Sequence, residues 1–561
     1  MKKRKQLEYM FYASLIVISF LFLLLPTGLE YVIFDDSETY IKFLQMRNVE
    51  GVMPIYPIFL FFNKLIFGKD FYLQAVMAEQ TLIAILCVTC FISKMKRHFQ
   101  LRYRECYLLL LLSLIPFTTD YPLSMVVQDI VTEGLSYALF YLFVVLLLDA
   151  VWERSFVKLL ETVCFTFVLA LLRSQLQILF AVCGAAAAYV IWVKFSTGNK
   201  WSYVGKAAAG FGLWAVVMMM GIVGTVRINY ITQRILFGEG KVATFIDQNS
   251  SDMIQPIETA GILQEEKEEE LERNPGEVYK ESSAIHQAAS GLERIGDGVE
   301  IQEPNTAPNT APEVIEFLSN GYEESGVAVS QYSSIIFSKG MYEADYEDYL
   351  LFEDEEVQKQ FLYVYELVDE LGYRYPYADS GLWGWRHISD SVGDLGKHCF
   401  WGLNEYFADY YNTTIAYFQY RCTAQAFQTI GTKLLVRHFG RFVWHTVRLM
   451  IPAFIFTVFF QKEQFYLLCH LVTLFLYVTA AGLTIWCFIH KRANKRCAEF
   501  MLVVLANNFI LVAVISLVFI GLQRYLVYGF GIFYVAYYLL LRELYRCCFV
   551  DKIRQRFWMK K

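Results

Sequence analysis

Three carboxylates and three hydroxyls fall within six residues at Asp35-Asp36-Ser37-Glu38-Thr39-Tyr40, directly after the first long apolar stretch of the chain. A carboxylate held at the edge of an apolar phase can take the proton of an attacking hydroxyl. Several together offer the oxygen ligands that suit Mg²⁺ or Mn²⁺. Asp35 and Asp36 are therefore candidate bases, and Asp35, Asp36 and Glu133 form a candidate metal set. Thr132-Glu133 and Arg524-Tyr525 each open a later apolar stretch, and Arg173 interrupts another. Guanidinium groups match phosphate oxygens two at a time, so Arg173 and Arg524 are candidate phosphate partners, with Lys64 and Lys69 as point charges in the first loop. Each group also has a plainer role open to it. Asp36 or Ser37 can cap a helix from about 38 to 48, Glu133 can favour a helix start, and Arg173 or Arg524 can reach to lipid headgroups.

Such groups work together only if long elements bring them to one end of a bundle. The chain has 561 residues, 56% of them hydrophobic and 17% aromatic, too apolar for a single soluble core. A membrane-crossing helix needs roughly 20 mainly apolar residues. Such stretches lie near 9–29, 71–93, 105–118, 131–149, 159–194, 206–226, 442–460, 465–489, 499–520 and 525–541. The fifth is long enough for two, and its interruption by Arg173, Ser174, Gln175 and Gln177 marks a turn at the membrane face or lines a wet cavity. The expected fold is an all-α polytopic membrane protein of about eleven transmembrane helices. A large, mainly helical extracytoplasmic domain is expected between the seventh and eighth. The first apolar segment ends at Pro26 and Gly28 with no small-residue cleavage pattern, and reads as a signal anchor.

The net charge of −6 is unevenly spread, since residues 241–420 hold 35 Asp and Glu against 10 Lys and Arg. That block is a compartment of its own. Cytoplasmic loops collect Lys and Arg, which places Lys2–Lys5, Lys94–Arg104 and Lys194–Lys206 inside and 227–441 outside. The expected organisation is an N-terminal membrane module (1–226), an acidic external domain (227–441) and a C-terminal membrane module with a basic tail (442–561). One conflict is built into it. Lys491–Arg496 and the tail from Arg542 also belong inside by charge, yet eleven crossings put them outside, unless 442–460 dips into the membrane without crossing.

Within the external segment, 260–315 is acid-rich and carries a Pro-Asn-Thr repeat, the composition of a flexible linker. From about 341 the pattern becomes helical, with Phe352, Val357, Phe361, Val364, Tyr365 and Val368 spaced among acids. Cys399 and Cys422 are the only cysteines of this segment and the only pair there that could form a disulfide. Lys433–Arg448 alternates bases and histidines with apolar residues, as suits an interfacial helix.

On these motifs the chain resembles the GT-C superfamily of glycosyltransferases, of the protein O-mannosyltransferase and aminoarabinose transferase type. The resemblance is carried by Asp36 with Tyr40, Tyr56-Pro57, Phe67-Gly68, Thr132-Glu133 and Arg524-Tyr525. It covers the N-terminal and C-terminal membrane modules and leaves the external domain unmatched. The family's usual Asp-Glu pair stands here as Asp35-Asp36, so spacing favours Asp36 and pair order favours Asp35.

The resemblance implies transfer of a sugar from a polyprenyl-phosphate donor to an extracytoplasmic glycan, lipid or protein acceptor by inverting displacement. It implies Asp35 or Asp36 as base and Glu133, Arg173, Arg524, Tyr525, Tyr40 and Lys64 around the substrate. A lipid-linked glycan polymerase or ligase, and a flippase for polyprenyl-linked glycans, are the alternatives. A flippase would carry charge deep inside its spans, and here, apart from Glu79, Glu161 and Arg173, the spans are nearly free of charge. Membrane lipid is the expected surrounding, and nothing in the acidic charge balance suits nucleic acid.

Overall fold

The computed structural model describes residues 2–24, 30–33, 37, 40–41, 53–118, 125–196, 203–237, 331–372, 381–412, 416–459, 466–518 and 523–550. Among them the regular elements are helices, joined by two isolated β-bridges. Seven helical segments are long and apolar enough to cross a membrane: Gln6–Leu24, Ile55–Phe99, Thr132–Glu153, Ser174–Lys194, Ala208–Asn229, Leu467–Ile489 and Lys495–Leu517.

In chain order the helices of the first half are α1 (Lys2–Leu24), α2 (Ile55–Phe99), α3 (Tyr103–Leu114), α4 (Thr132–Glu153), α5 (Phe156–Leu172), α6 (Leu179–Ser196) and α7 (Tyr203–Phe237). The second half contributes α8 (Gln331–Glu343), α9 (Glu355–Glu370), α10 (Gly381–Tyr410), α11 (Ala416–Arg437), α12 (Phe439–Ala453), α13 (Tyr466–Ile489), α14 (Lys495–Val518), the single turn α15 (Gln523–Leu526) and α16 (Phe530–Tyr545). Four expected spans fold as shorter helices, with 12 residues in α3, 17 in α5, 15 in α12 and 16 in α16. At about 1.5 Å per residue these fall short of a hydrocarbon layer about 30 Å thick.

The Phe67-Gly68 motif does not end a loop. Helix α2 runs from Ile55 through it and bends at Gly68, whose φ of 73° and ψ of 176° are open to glycine and strained for other residues. The preceding arm, 55–67, exposes Phe62, Leu65 and Ile66 and buries Tyr56, Pro57, Leu60 and Asn63. Pro57 is tolerated because it lies in the first turn, where no intrahelical acceptor is lost.

The bundle core is aromatic: the Phe91 ring lies 5.3 Å from Tyr141 and 6.3 Å from Phe500, tying α2 to α4 and α14. Tyr141 donates to the Ser113 carbonyl at 2.7 Å. At Gly531 a Cβ would stand 2.5 Å from the Tyr141 hydroxyl and 2.7 Å from the Leu112 carbonyl, so glycine is what lets α16 come this close to α3.

Polar ties gather the basic loops at one end. Lys94 meets Asp149 at 2.6 Å, Lys96 meets Glu8 at 3.7 Å, and Arg542 meets Glu105 at 2.5 Å. Arg496 reaches His98 at 3.2 Å and Arg546 donates to the Arg492 carbonyl at 2.8 Å. Residues 491–496 and 542–546 therefore share the end occupied by 94–105. Helix α12 packs His445 and Phe442 against α8.

Helices α8 to α11 form a second core around Phe337, Phe361, Val364, Leu403, Phe427 and Leu434. The expected stripe appears on α9, where Phe361, Val364 and Val368 are buried and Asp354 caps the helix by accepting from the Glu356 amide at 2.8 Å. Cys399 and Cys422 are both free thiols. The basic stretch 433–448 is two helices, broken at His438. Phe439, Val443, Trp444 and Val447 form the exposed apolar side of α12, while Phe442, His445 and Leu449 pack inward. The linker reading for 260–315 falls outside the described residues.

Candidate active site

The end of the bundle opposite the basic loops holds a buried polar cluster built from five segments. Its frame is a short extended contact between the first loop and the segment before α4. Val32 donates to the Gln128 carbonyl at 3.0 Å, and Ile130 donates back to the Val32 carbonyl at 3.0 Å. Gln80, on α2, locks this frame by donating to the carbonyls of Val127 at 2.9 Å and Asp129 at 3.1 Å. Its Oε1 accepts from the Tyr56 hydroxyl at 2.9 Å. Gly134 leaves room for the Gln80 amide, since a Cβ there would lie 2.7 Å from it.

Glu133 sits in the first turn of α4, where the exposed amides of a helix start favour a carboxylate. Its Oε2 accepts from the Thr132 hydroxyl at 3.0 Å, and its Oε1 lies 2.7 Å from Arg173 Nη1. Arg173 occupies the break between α5 and the 3-10 turn Ser174–Ile178, in extended backbone with φ −150°. The polar interruption of the fifth apolar stretch is thus a turn. Arg173 Nε donates to Gln175 at 2.6 Å, and the guanidinium carbon lies 5.3 Å from the centre of the Tyr525 ring. Tyr528 shares its hydroxyl with Ser136 at 2.8 Å and stacks edge-on to Tyr137 at 4.7 Å.

One carboxylate here is left without a partner. Asp129 is only 5% exposed, and among the described residues no donor reaches its Oδ1. Burial, and then the Glu133 charge one helical turn away, push its carboxyl up to about 7. The cluster thus holds two acids against one guanidinium, and the second acid keeps a lone pair facing its surroundings.

Among the sequence candidates, Glu133, Arg173 and Tyr525 are brought together. Tyr40 packs its ring 5.3 Å from Tyr56 and so adjoins the same frame. Lys64 stands apart, on the 55–67 arm of α2, with its nitrogen 5.4 Å over the Tyr72 ring. Asp35 and Asp36 lie outside the described residues, between Ile33 and the buried Ser37. The Arg524 backbone is in α15, and its side chain lies outside the described ones.

Asp129, Gln80 and Tyr528 escaped the sequence reading. A signal for Asp129 was present, an acid four residues before Glu133 just ahead of an apolar stretch, and Gln80 was visible as a polar group inside a span.

As for a metal, Glu133 has both oxygens committed, to Arg173 and to Thr132, so of the candidate set it offers little to a cation. A separate cluster of Asp345, Asp348 and His438 lies beside the second core formed by α8 to α11. There Asp348 accepts from the Asp345 amide at 2.8 Å and pairs with His438 at 2.6 Å, while Asp345 pairs with Arg441 at 3.2 Å. Those contacts close a helix-capping arrangement and account for the cluster without an ion.

Compared with known proteins, the chain matches no family model, and no curated protein matches it in sequence.

Proposed function

We propose that the chain is a membrane glycosyltransferase that moves a sugar from a polyprenyl-phosphate carrier to a hydroxyl acceptor outside the cytoplasm. The observation that carries this reading is the buried cluster of Asp129, Glu133, Arg173 and Tyr525 against the first loop, with one carboxylate oxygen unpaired. Such a reaction needs a proton acceptor near the membrane surface and positive charge for a departing phosphate, and both are gathered at that end.

In the proposed step the acceptor oxygen attacks the anomeric carbon as the bond from that carbon to the lipid phosphate breaks. The phosphate leaves as an anion that needs no protonation, and the hydroxyl proton passes to a carboxylate. Asp35 or Asp36 is the proposed base, and Asp129 is the third carboxylate able to take this role. Arg173 is neutralised by Glu133 and braces the site, and Arg524, next to Tyr525 in the chain, is the proposed partner of the lipid phosphate.

The proposed topology has ten passes: α1 to α7, then α13, α14 and α16, with α3 lengthened by the turn Ile115–Phe117, α16 by the turns Val527–Gly529 and Arg546–Val550, and α5 at the short end of the spanning range. The external bundle and α12 remain on the outer side, and both chain ends lie in the cytoplasm. The gathering of 94–105, 491–496 and 542–546 at one end supports it, since positive charge then collects on one side.

Purified protein in lipid would be given candidate polyprenyl-phosphate sugars with glycan, lipid and protein acceptors. Asp35→Asn, Asp36→Asn and Asp129→Asn are assayed beside the parent. Loss of about 10² to 10⁴ in rate in one of them is expected for a base. No turnover in the parent with any donor, or full turnover in all three variants, would end the proposal.

A further inference from the structure

The external bundle meets the membrane helices at the last turn of α14. Lys339, on α8 and fully buried, donates to the carbonyl oxygens of Ser516 and Leu517, the second at 2.9 Å. Helix α14 is described as far as Val518, and among the described residues Lys339 is the donor that reaches these two carbonyls. An ammonium at that place also meets the negative end of the helix dipole.

The Phe442 ring, on α12, lies 5.5 Å from the same nitrogen. Burial pulls the Lys339 ammonium down to about 7. One turn further along α8, Glu343 pairs with the buried His445 at 3.1 Å, closing the interface from the α12 side.

Helix α15 places Tyr525 over Arg173, and Tyr528 follows against Ser136. Residues 516–517 and residues 525–528, close in the chain, are therefore each held from a different side. The external bundle holds the first pair, and the buried acid cluster receives the second segment.

We propose that Lys339 is a positioning residue: by holding the last turn of α14 it fixes the segment that lays Tyr525 on Arg173, so that docking of the external bundle and closure of the buried site are one equilibrium. The inference goes beyond the sugar-transfer reading and stands on the geometry whichever reaction the site performs. Its test accordingly reads structure, not turnover.

Hydrogen exchange of the full chain in lipid nanodiscs would compare the parent with Lys339→Met and Lys339→Arg. Exchange across 523–530 is expected to rise at least about tenfold in the methionine variant, with amides in the middle of α4 within about twofold of the parent. The arginine variant, which keeps charge and donors, is expected to restore protection. Unchanged exchange at 523–530 in Lys339→Met overturns the proposal, whether or not α8–α11 loosen. Should that variant lose α4 protection as well, Lys339→Gln replaces it. Loss of α4 protection in both makes the lysine a general folding residue and equally overturns the proposal.

Discussion

Arg173 Nη1 stands 2.7 Å from Glu133 Oε1 with each residue 7% exposed, and this pair joins the start of α4 to the break after α5. A buried ion pair contributes little net stability, but removing one partner strands the other. Arg173→Met is therefore expected to destabilise the protein by about 3–5 kcal/mol. Combining it with Glu133→Gln should recover much of that loss, because no uncompensated charge remains. Thermal unfolding in detergent measures both, and equal losses in the single and double variants would contradict the pairing.

Asp129 sets a pH dependence. Its folded carboxyl titrates near 7, above the ordinary value of 3.8, so between those limits the folded protein holds a proton that the unfolded chain has released. Stability should fall as pH rises from about 4 to 7. Asp129→Asn should flatten that fall and exceed the parent at pH 8 by about 3 kcal/mol. Melting temperatures across pH 4–8 decide it, and a parallel slope in the variant would remove Asp129 from the account. If Asp129 is the proton acceptor, activity in the parent climbs through about pH 7 as stability declines.

Gly134 is held open for Gln80. A methyl group at 134 would press within 2.7 Å of an amide already fixed by Tyr56, Val127 and Asp129. Gly134→Ala is expected to cost about 1–3 kcal/mol, the range for overpacking a filled site. Gln80→Ala on top of Gly134→Ala should add less than it does alone, which a double-mutant cycle on unfolding reads directly.

The ten-pass arrangement makes a labelling prediction. In a background without native cysteines, Arg492→Cys and Tyr410→Cys replace two exposed residues, one in a basic loop and one on the external bundle. An impermeant thiol reagent applied to intact cells should modify position 410 and leave 492 until the membrane is opened. Labelling of both from outside would sink the topology.

Much of the site was legible because the membrane constrains where polar residues can go. Glu133 and Arg173 stand out in apolar surroundings, and a charge there needs a partner, so their meeting is the outcome the composition favours. The amphipathic stripe of α9 was readable for a similar reason: Phe361, Val364 and Val368 recur at helical spacing. Charge asymmetry set the acidic block apart in sequence, and its helices α8 to α11 share a core of their own.

Other features required the tertiary structure. Nothing local tells which neighbour a 15-residue apolar helix will pack on; for α12 the contacts of His445 with Glu343 and of Phe442 with Lys339 place it against α8. Asp129 and Gln80 gained meaning only through the frame with Val32, a contact 97 residues apart in the chain that no periodicity encodes. Lys339 is the extreme case. In sequence it is one base in an acidic domain, and its role comes from two carbonyls on a helix 177 residues away. The apolar solvent writes itself into composition and spacing, so class and the main charged pair can be read from the chain, whereas which helix end meets which side chain depends on packing between distant segments.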